Sequence, residues 1–223
     1  MGIREIEVAG HKLIIHEQDN VYDSLTGRAL TGAWLWDSAV ILAHYMATHL
    51  DFQTKSVLEL GAGAGLPGLT AARLGASRVV LTDVKPLLPG LTNNVKANGL
   101  GDRVEVRELV WGSEESKQSE VGEFDFVLMS DVFFYPEDMV GLGKTLKSVC
   151  YRSNTWICAV SEVRPWTGDC LNELVNQGFR VTELESKLGS GSSGEGKDNL
   201  DAFAVFQLIS PLQENCHETD IFI

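Results

Sequence analysis

The chain has 223 residues, with 31 acidic against 18 basic side chains and a net charge of −13. Such a surface repels bare phosphate backbones, which counts against a nucleic-acid partner and fits a basic protein or peptide better, though it also serves solubility alone. Apolar residues make up 44% of the chain, enough for one core of ordinary domain size, yet no uninterrupted apolar run approaches the roughly 20 residues of a membrane helix.

Met1-Gly2-Ile3-Arg4-Glu5 leads into a charged, alternating segment and reads as neither a signal peptide nor a myristoylation site. The spacing then predicts a hairpin. Residues 5–8 and 12–16 alternate around Ala9-Gly10-His11, with Ile6 and Val8 before the turn and Leu13 and Ile15 after it. Residues 17–31 are polar and turn-rich. A helix of about 39–50 follows, with Asp37 or Ser38 as candidate cap and Val40, Ile41, Ala43, His44 and Ala47 as its packing face.

Ser56 to Leu60 is an apolar run that contains the acid Glu59. Gly61-Ala62-Gly63-Ala64-Gly65-Leu66-Pro67-Gly68 comes next, then a helix that stops at Gly75. This reads as a buried strand, a tight turn and a helix start, the arrangement of a nucleotide-type cofactor loop. Glycines let the backbone approach a ligand closely, and the helix start is expected to offer free N–H groups. Gly63-x-Gly65-x-x-Gly68 also matches the dinucleotide fingerprint. Glu59 and the tighter Gly61-x-Gly63-x-Gly65 spacing instead resemble the first motif of the class I methyltransferases, which bind S-adenosylmethionine.

Arg78 to Thr82 is a second strand ending at Asp83, where an acid is placed for a ribose hydroxyl pair or for capping the helix expected over 87–97. Val104 and Val106 belong to a third strand leading to Trp111, a flat ring suited to an adenine or to the core. Residues 113–123 are an acidic exposed loop. Phe124 to Met129 is a fourth strand ending at Ser130-Asp131. Helix 137–149, a strand over 155–160, a helix near 167–177 closed by Gly178, and strands over 179–184 and 202–209 complete the core. Gly/Ser-rich 190–196 and the tail after Pro211 are expected to be flexible.

Strand–helix alternation from 56 to 178 predicts an α/β fold with a parallel, doubly wound sheet, and two consecutive final strands require the last to run antiparallel. The expected organisation is one domain over 1–210, with the hairpin and helix in 1–50, the core in 51–210 and the tail in 211–223. Cys150, Cys158, Cys170 and Cys216 match no zinc spacing and read as reduced thiols of a cytoplasmic or also nuclear chain, expected to act as a monomer. His44 and His49 do not share a helix face, and no metal site is expected.

The match then becomes specific. Trp34-Leu35-Trp36-Asp37, Glu59 through Gly65, Leu109-Val110-Trp111-Gly112 and Asp131-Val132-Phe133-Phe134-Tyr135 resemble the protein-lysine methyltransferases of the methyltransferase-like twenty-one group, over about residues 30 to 150. The resemblance implies a seven-stranded sheet, S-adenosylmethionine as cofactor and a protein lysine as acceptor. It implies cofactor contacts from Trp36, Gly61, Ala62, Gly63, Asp83, Trp111 and Ser130, to which strand-end placement adds Glu59. The D-x-x-[YF] signature falls on Asp131 and Phe134, while many relatives carry Tyr at the fourth position. Here Tyr135 follows one residue later, so either ring is a candidate for the aromatic role.

On this reading Asp131 orients the incoming amine, and Phe133, Phe134 and Tyr135 surround its stem or simply cover the sheet edge. Two rivals stay open at this point. A small-molecule methyltransferase fits the same loop. An NAD-dependent oxidoreductase fits the dinucleotide spacing, although no tyrosine has a lysine four residues on.

Overall fold

The computed structural model describes residues 2–24, 26–113, 123–150, 154–188 and 202–214. The expected 113–123 and 190–196 loops fall largely or wholly outside them.

Strands β1 (Ile3–Val8) and β2 (His11–His16) form the antiparallel hairpin. Its turn uses positive φ at both Ala9 (49°) and Gly10 (77°), the twist that two-residue hairpins favour. Val8, Leu13 and Ile15 enter the core. Among the described residues the outer edge of β2 has no strand beside it, and two asparagines close it. Asn98 bonds the N–H and C=O of Ile14, and Asn94, one helical turn earlier, bonds those of His16. Two side-chain amides thus replace a strand's backbone partners.

Helix α1 (Asp37–His49) starts earlier than predicted. Trp36 occupies the cap position and no side chain caps it. Asp37 is already helical, where its charge complements the helix dipole. Of the predicted packing face, Ala43 is buried, Val40, Ile41 and Ala47 pack half-buried against the core and His44 is exposed, while Ser38, Ala39, Leu42, Tyr45 and Met46 complete the buried side. Residues 39–43 are apolar almost without a break, so periodicity alone left the facing side undetermined.

The main sheet contains β3 (Ser56–Leu60), β4 (Arg78–Asp83), β5 (Val104–Glu108), β6 (Phe126–Ser130), β7 (Trp156–Glu162), β8 (Arg180–Leu188) and β9 (Ala202–Ile209). Their order is β5-β4-β3-β6-β7-β9-β8. The first five run parallel, and β9 lies antiparallel between β7 and β8. Helices α2 (Leu66–Arg73), α3 (Leu88–Ala97), α4 (Asp138–Val149) and α5 (Thr167–Asn176) are the crossovers. The central strands are apolar on both faces because each face packs a layer. One layer joins the hairpin, α1 and α2 around Leu42, Met46, Val57 and Leu69. The other joins α4 and α5 around Leu58, Leu60, Phe133 and Leu146. Gly75 and Gly178 end helices with φ of 103° and 94°, as predicted. Pro211–Glu214 forms a helical turn, α6, where fraying was expected. The rest of the tail lies outside the described residues.

Candidate functional site

The carboxyl ends of β3, β4 and β6 lie side by side, at the point where successive crossovers leave the sheet on opposite faces. In open α/β sheets this crevice takes the ligand. After β3 the chain turns sharply, with φ of 63°, 53° and 83° at Gly61, Gly63 and Gly65. These are left-handed values that favour glycine. The space around the turn forbids side chains as well. A Cβ on Gly63 would stand 2.8 Å from the Gly32 carbonyl, and one on Gly61 would stand 3.2 Å from Cζ2 of Trp111.

Glu59 is fully buried, and its Oε2 accepts the Gly68 N–H at 2.8 Å. Its second oxygen has no protein partner. Burial pushes this carboxyl up from 4.5 to about 8, with repulsion from Asp83 adding to the shift and the Gly68 bond opposing it. Glu59 therefore acts under the loop, as the cap of α2. This corrects the expectation of an open helix start. Pro67 has no N–H, Glu59 takes that of Gly68, and Leu69 bonds Gly65. Among the described residues, only the Leu66 N–H of the first turn is left for an incoming group.

Asp83 is half-buried at the end of β4. Its Oδ2 accepts the Gly63 N–H and its Oδ1 the Val84 N–H, both at 2.7 Å. Burial raises its pKa and the two bonds counter that. The carboxylate thus fixes the second turn of the glycine loop. Ala62 completes the cradle by donating to Thr82 O at 2.9 Å, and its side chain is buried. The 31–33 turn lies over the loop, with its Gly32 against Gly63. The indole N–H of Trp36 donates to Thr31 O at 3.0 Å, which holds that ring at the rim. Asn94 ties β2 to the Ala64 carbonyl at 3.0 Å, so the hairpin braces the loop from behind.

Trp111 is half-buried, its ring edge against Gly61 and beside Val132. A glycine contact seats it: a Cβ on Gly112 would be 2.8 Å from Gly141 Cα in α4, and the Gly112 N–H donates to Thr145 Oγ1. Neither Gly141 nor Thr145 carried a signal in the sequence.

Ser130 ends β6, half-buried. Asp131 follows, buried and with φ of +53°, uncommon for a residue that is not glycine. Its N–H donates to Val160 O at 2.8 Å. Its carboxylate is gripped by Arg164, Nη1 to Oδ1 at 2.6 Å and Nη2 to Oδ2 at 3.0 Å. The three aromatics that follow part ways. Phe133 is core, edge-on to Phe206 at 6.0 Å. Phe134 lies under the Arg164 guanidinium at 5.4 Å, and Tyr135 is exposed. Sequence reasoning missed Arg164 with its neighbours Ser161 and Glu162. The only available signal was a charged pair, Glu162 at the end of β7 and Arg164 two residues beyond.

The crevice therefore joins a glycine cradle, a carboxylate and an indole edge at β3, β4 and Trp111 with an acid and aromatics at β6. These residues would fit an adenosyl ligand: three glycines hold left-handed backbone in the turn, a carboxylate stands at the end of the next strand, and a flat ring borders the loop.

The fold is that of the class I methyltransferases. Solved structures agree at the level of fold. An S-adenosylmethionine-dependent methyltransferase from Agrobacterium tumefaciens matches with a TM-score of 0.59 at 14% identity, over 95% of this chain and 71% of that one. An O-methyltransferase from Bacillus cereus, solved in complex with S-adenosylhomocysteine, matches with a TM-score of 0.52 at 19% identity, over 81% of this chain and 84% of that one. Residues 11–174 match the family model described as lysine methyltransferase, and the chain belongs to that family. Among curated relatives, protein N-lysine methyltransferase METTL21A of Mus musculus is 37% identical over 57% of this chain and 59% of its own length. Protein-lysine methyltransferase METTL21E of Mus musculus is 32% identical over 64% and 57%. The chain spans between half and three-fifths of the length of these relatives.

Proposed function

We propose that the protein transfers a methyl group from S-adenosylmethionine to a lysine side chain of a protein substrate. The observation that carries this is the convergence of three strand ends on one crevice: the glycine cradle after β3, Asp83 after β4 and Ser130-Asp131 after β6. Membership of the lysine methyltransferase family and the names of the curated relatives support lysine as acceptor. Gly61, Ala62 and Gly63, with Asp83, Trp111, Ser130 and Trp36 at the rim, would hold the cofactor. Glu59 sets the loop from beneath.

When bound, S-adenosylmethionine would supply a methyl group activated by its sulfonium. What is left to the protein is alignment and a deprotonated amine. Asp131 orients the amine, and Phe134 with Tyr135 forms the wall on the substrate side. Three buried thiols (Cys150, Cys158 and Cys170) without disulfides support a reducing compartment such as the cytoplasm as the place of action.

Incubating a cell lysate with the protein and methyl-labelled cofactor, followed by mass spectrometry of labelled proteins, tests this. The expected product is methyl-lysine on a discrete protein. Label confined to small molecules or nucleic acid would overturn the acceptor. A thermal shift with NAD and none with S-adenosylhomocysteine would overturn the cofactor.

A further inference from the structure

An acid that orients an amine meets conflicting demands. A bare carboxylate favours the ammonium, and an ammonium has no lone pair with which to attack. The surroundings of Asp131 address this. Arg164, two residues past the end of β7, engages both of its oxygens and also reaches Glu162 Oε2 at 2.6 Å. Its side chain is only 13% exposed. Its backbone N–H donates to Thr167 Oγ1 at 2.9 Å, at the start of α5, and its guanidinium stacks over Phe134. Ser161 Oγ stands 3.3 Å from Asp131 Oδ1 and 3.0 Å from the Glu162 carbonyl, either of which can accept its one hydrogen. Among the described residues, the charged groups facing one another here are Asp131, Glu162 and Arg164. Their sum is one negative charge with the guanidinium and two without it.

We propose that Arg164 is a positioning residue on the substrate side: its guanidinium fixes Asp131 through both oxygens and offsets its charge, so that the acid aligns the acceptor amine without holding it as an ammonium. The inference rests on the reading of Asp131 as the acid that faces the transferred methyl. The strained backbone of Asp131 agrees with a side chain held in one pose by its partner.

The test is a binding measurement that needs no protein substrate. Sinefungin carries an amine where the cofactor carries its methyl-bearing sulfonium, so its affinity relative to S-adenosylhomocysteine reads the charge at that point. The ratio cancels damage common to both ligands. By calorimetry, Arg164→Gln is expected to raise the relative affinity for sinefungin about tenfold, the effect of about one pKa unit on an amine. Arg164→Lys, which keeps the charge and loses the fork, is expected to stay within about twofold of the parent protein. On the labelled substrate, the acid limb of the kcat profile should move about one pH unit upward in Arg164→Gln and stay in place in Arg164→Lys.

An unchanged ratio in Arg164→Gln overturns the proposal. Should that variant fail to fold, a tenfold rise in Arg164→Lys overturns it instead. Asp131→Asn in the same series separates the layers: it should lower the sinefungin ratio. A ratio unmoved by Asp131→Asn refutes the placement of Asp131 beside the methyl, and the role of Arg164 with it.

Discussion

Glu59 makes a sharp test of how the loop is held. It is fully buried, with one oxygen on the Gly68 N–H and the other without a protein partner. Burial moves its carboxyl from 4.5 to about 8. Below pH 4.5 folded and unfolded chains both carry the proton, and the residue costs nothing. As the pH rises toward 8 the unfolded chain ionises while the folded one stays protonated. Folding stability therefore falls by roughly 1.4 kcal/mol per pH unit. The loss reaches roughly 5 kcal/mol once the folded carboxyl also ionises near pH 8. Glu59→Gln keeps an acceptor for Gly68 and cannot ionise. It should lie within about 1 kcal/mol of the parent protein near pH 5 and exceed it by about 3 kcal/mol near pH 7. Urea unfolding of both proteins between pH 5 and 8.5 gives the difference directly, and every other titrating group cancels to first order. A difference that stays flat across this range would refute the argument.

Asp83→Ala should weaken S-adenosylhomocysteine binding by roughly 1.5–3 kcal/mol in calorimetry, since a charge-assisted contact is lost and the Gly63 N–H is released. Unchanged affinity would remove Asp83 from the ligand site. Gly63→Ala should abolish measurable cofactor binding while circular dichroism stays native, because the new Cβ meets the Gly32 carbonyl at 2.8 Å and the backbone sits at φ of +53°. Asp131→Asn should lower methyl transfer by about 10²-fold and change S-adenosylhomocysteine affinity little. Normal turnover would take Asp131 out of the mechanism, and lost cofactor binding would move it into the cofactor site.

The sequence alone determined the elements that punctuation and periodicity mark. The glycine turn after an apolar strand, the acids Asp83 and Asp131 at strand ends, and the strand–helix alternation were all legible. Such signals are local: a turn needs glycine wherever it occurs, and a doubly covered strand is apolar whatever its neighbours. Two successive strands at the end likewise forced one antiparallel member, and β9 is that strand.

What only the tertiary structure decided are the contacts between residues far apart in the chain. Asn94 and Asn98 look like ordinary helix-end residues, yet they close the edge of β2 about 80 positions away. The apolar run in α1 gave no preferred side, and the layer packed above it chose Leu42 and Met46. Adjacent aromatics at 133–135 read alike, but the irregular connection from β6 to α4 sends them to the core, to Arg164 and to solvent. Glu59 read as a ligand contact because it stands beside the glycines; the pleat turns it beneath the loop instead. Arg164 was invisible for the same reason that it matters. Its partner is 33 residues earlier, and only the pairing of β6 with β7 brings the two charges together.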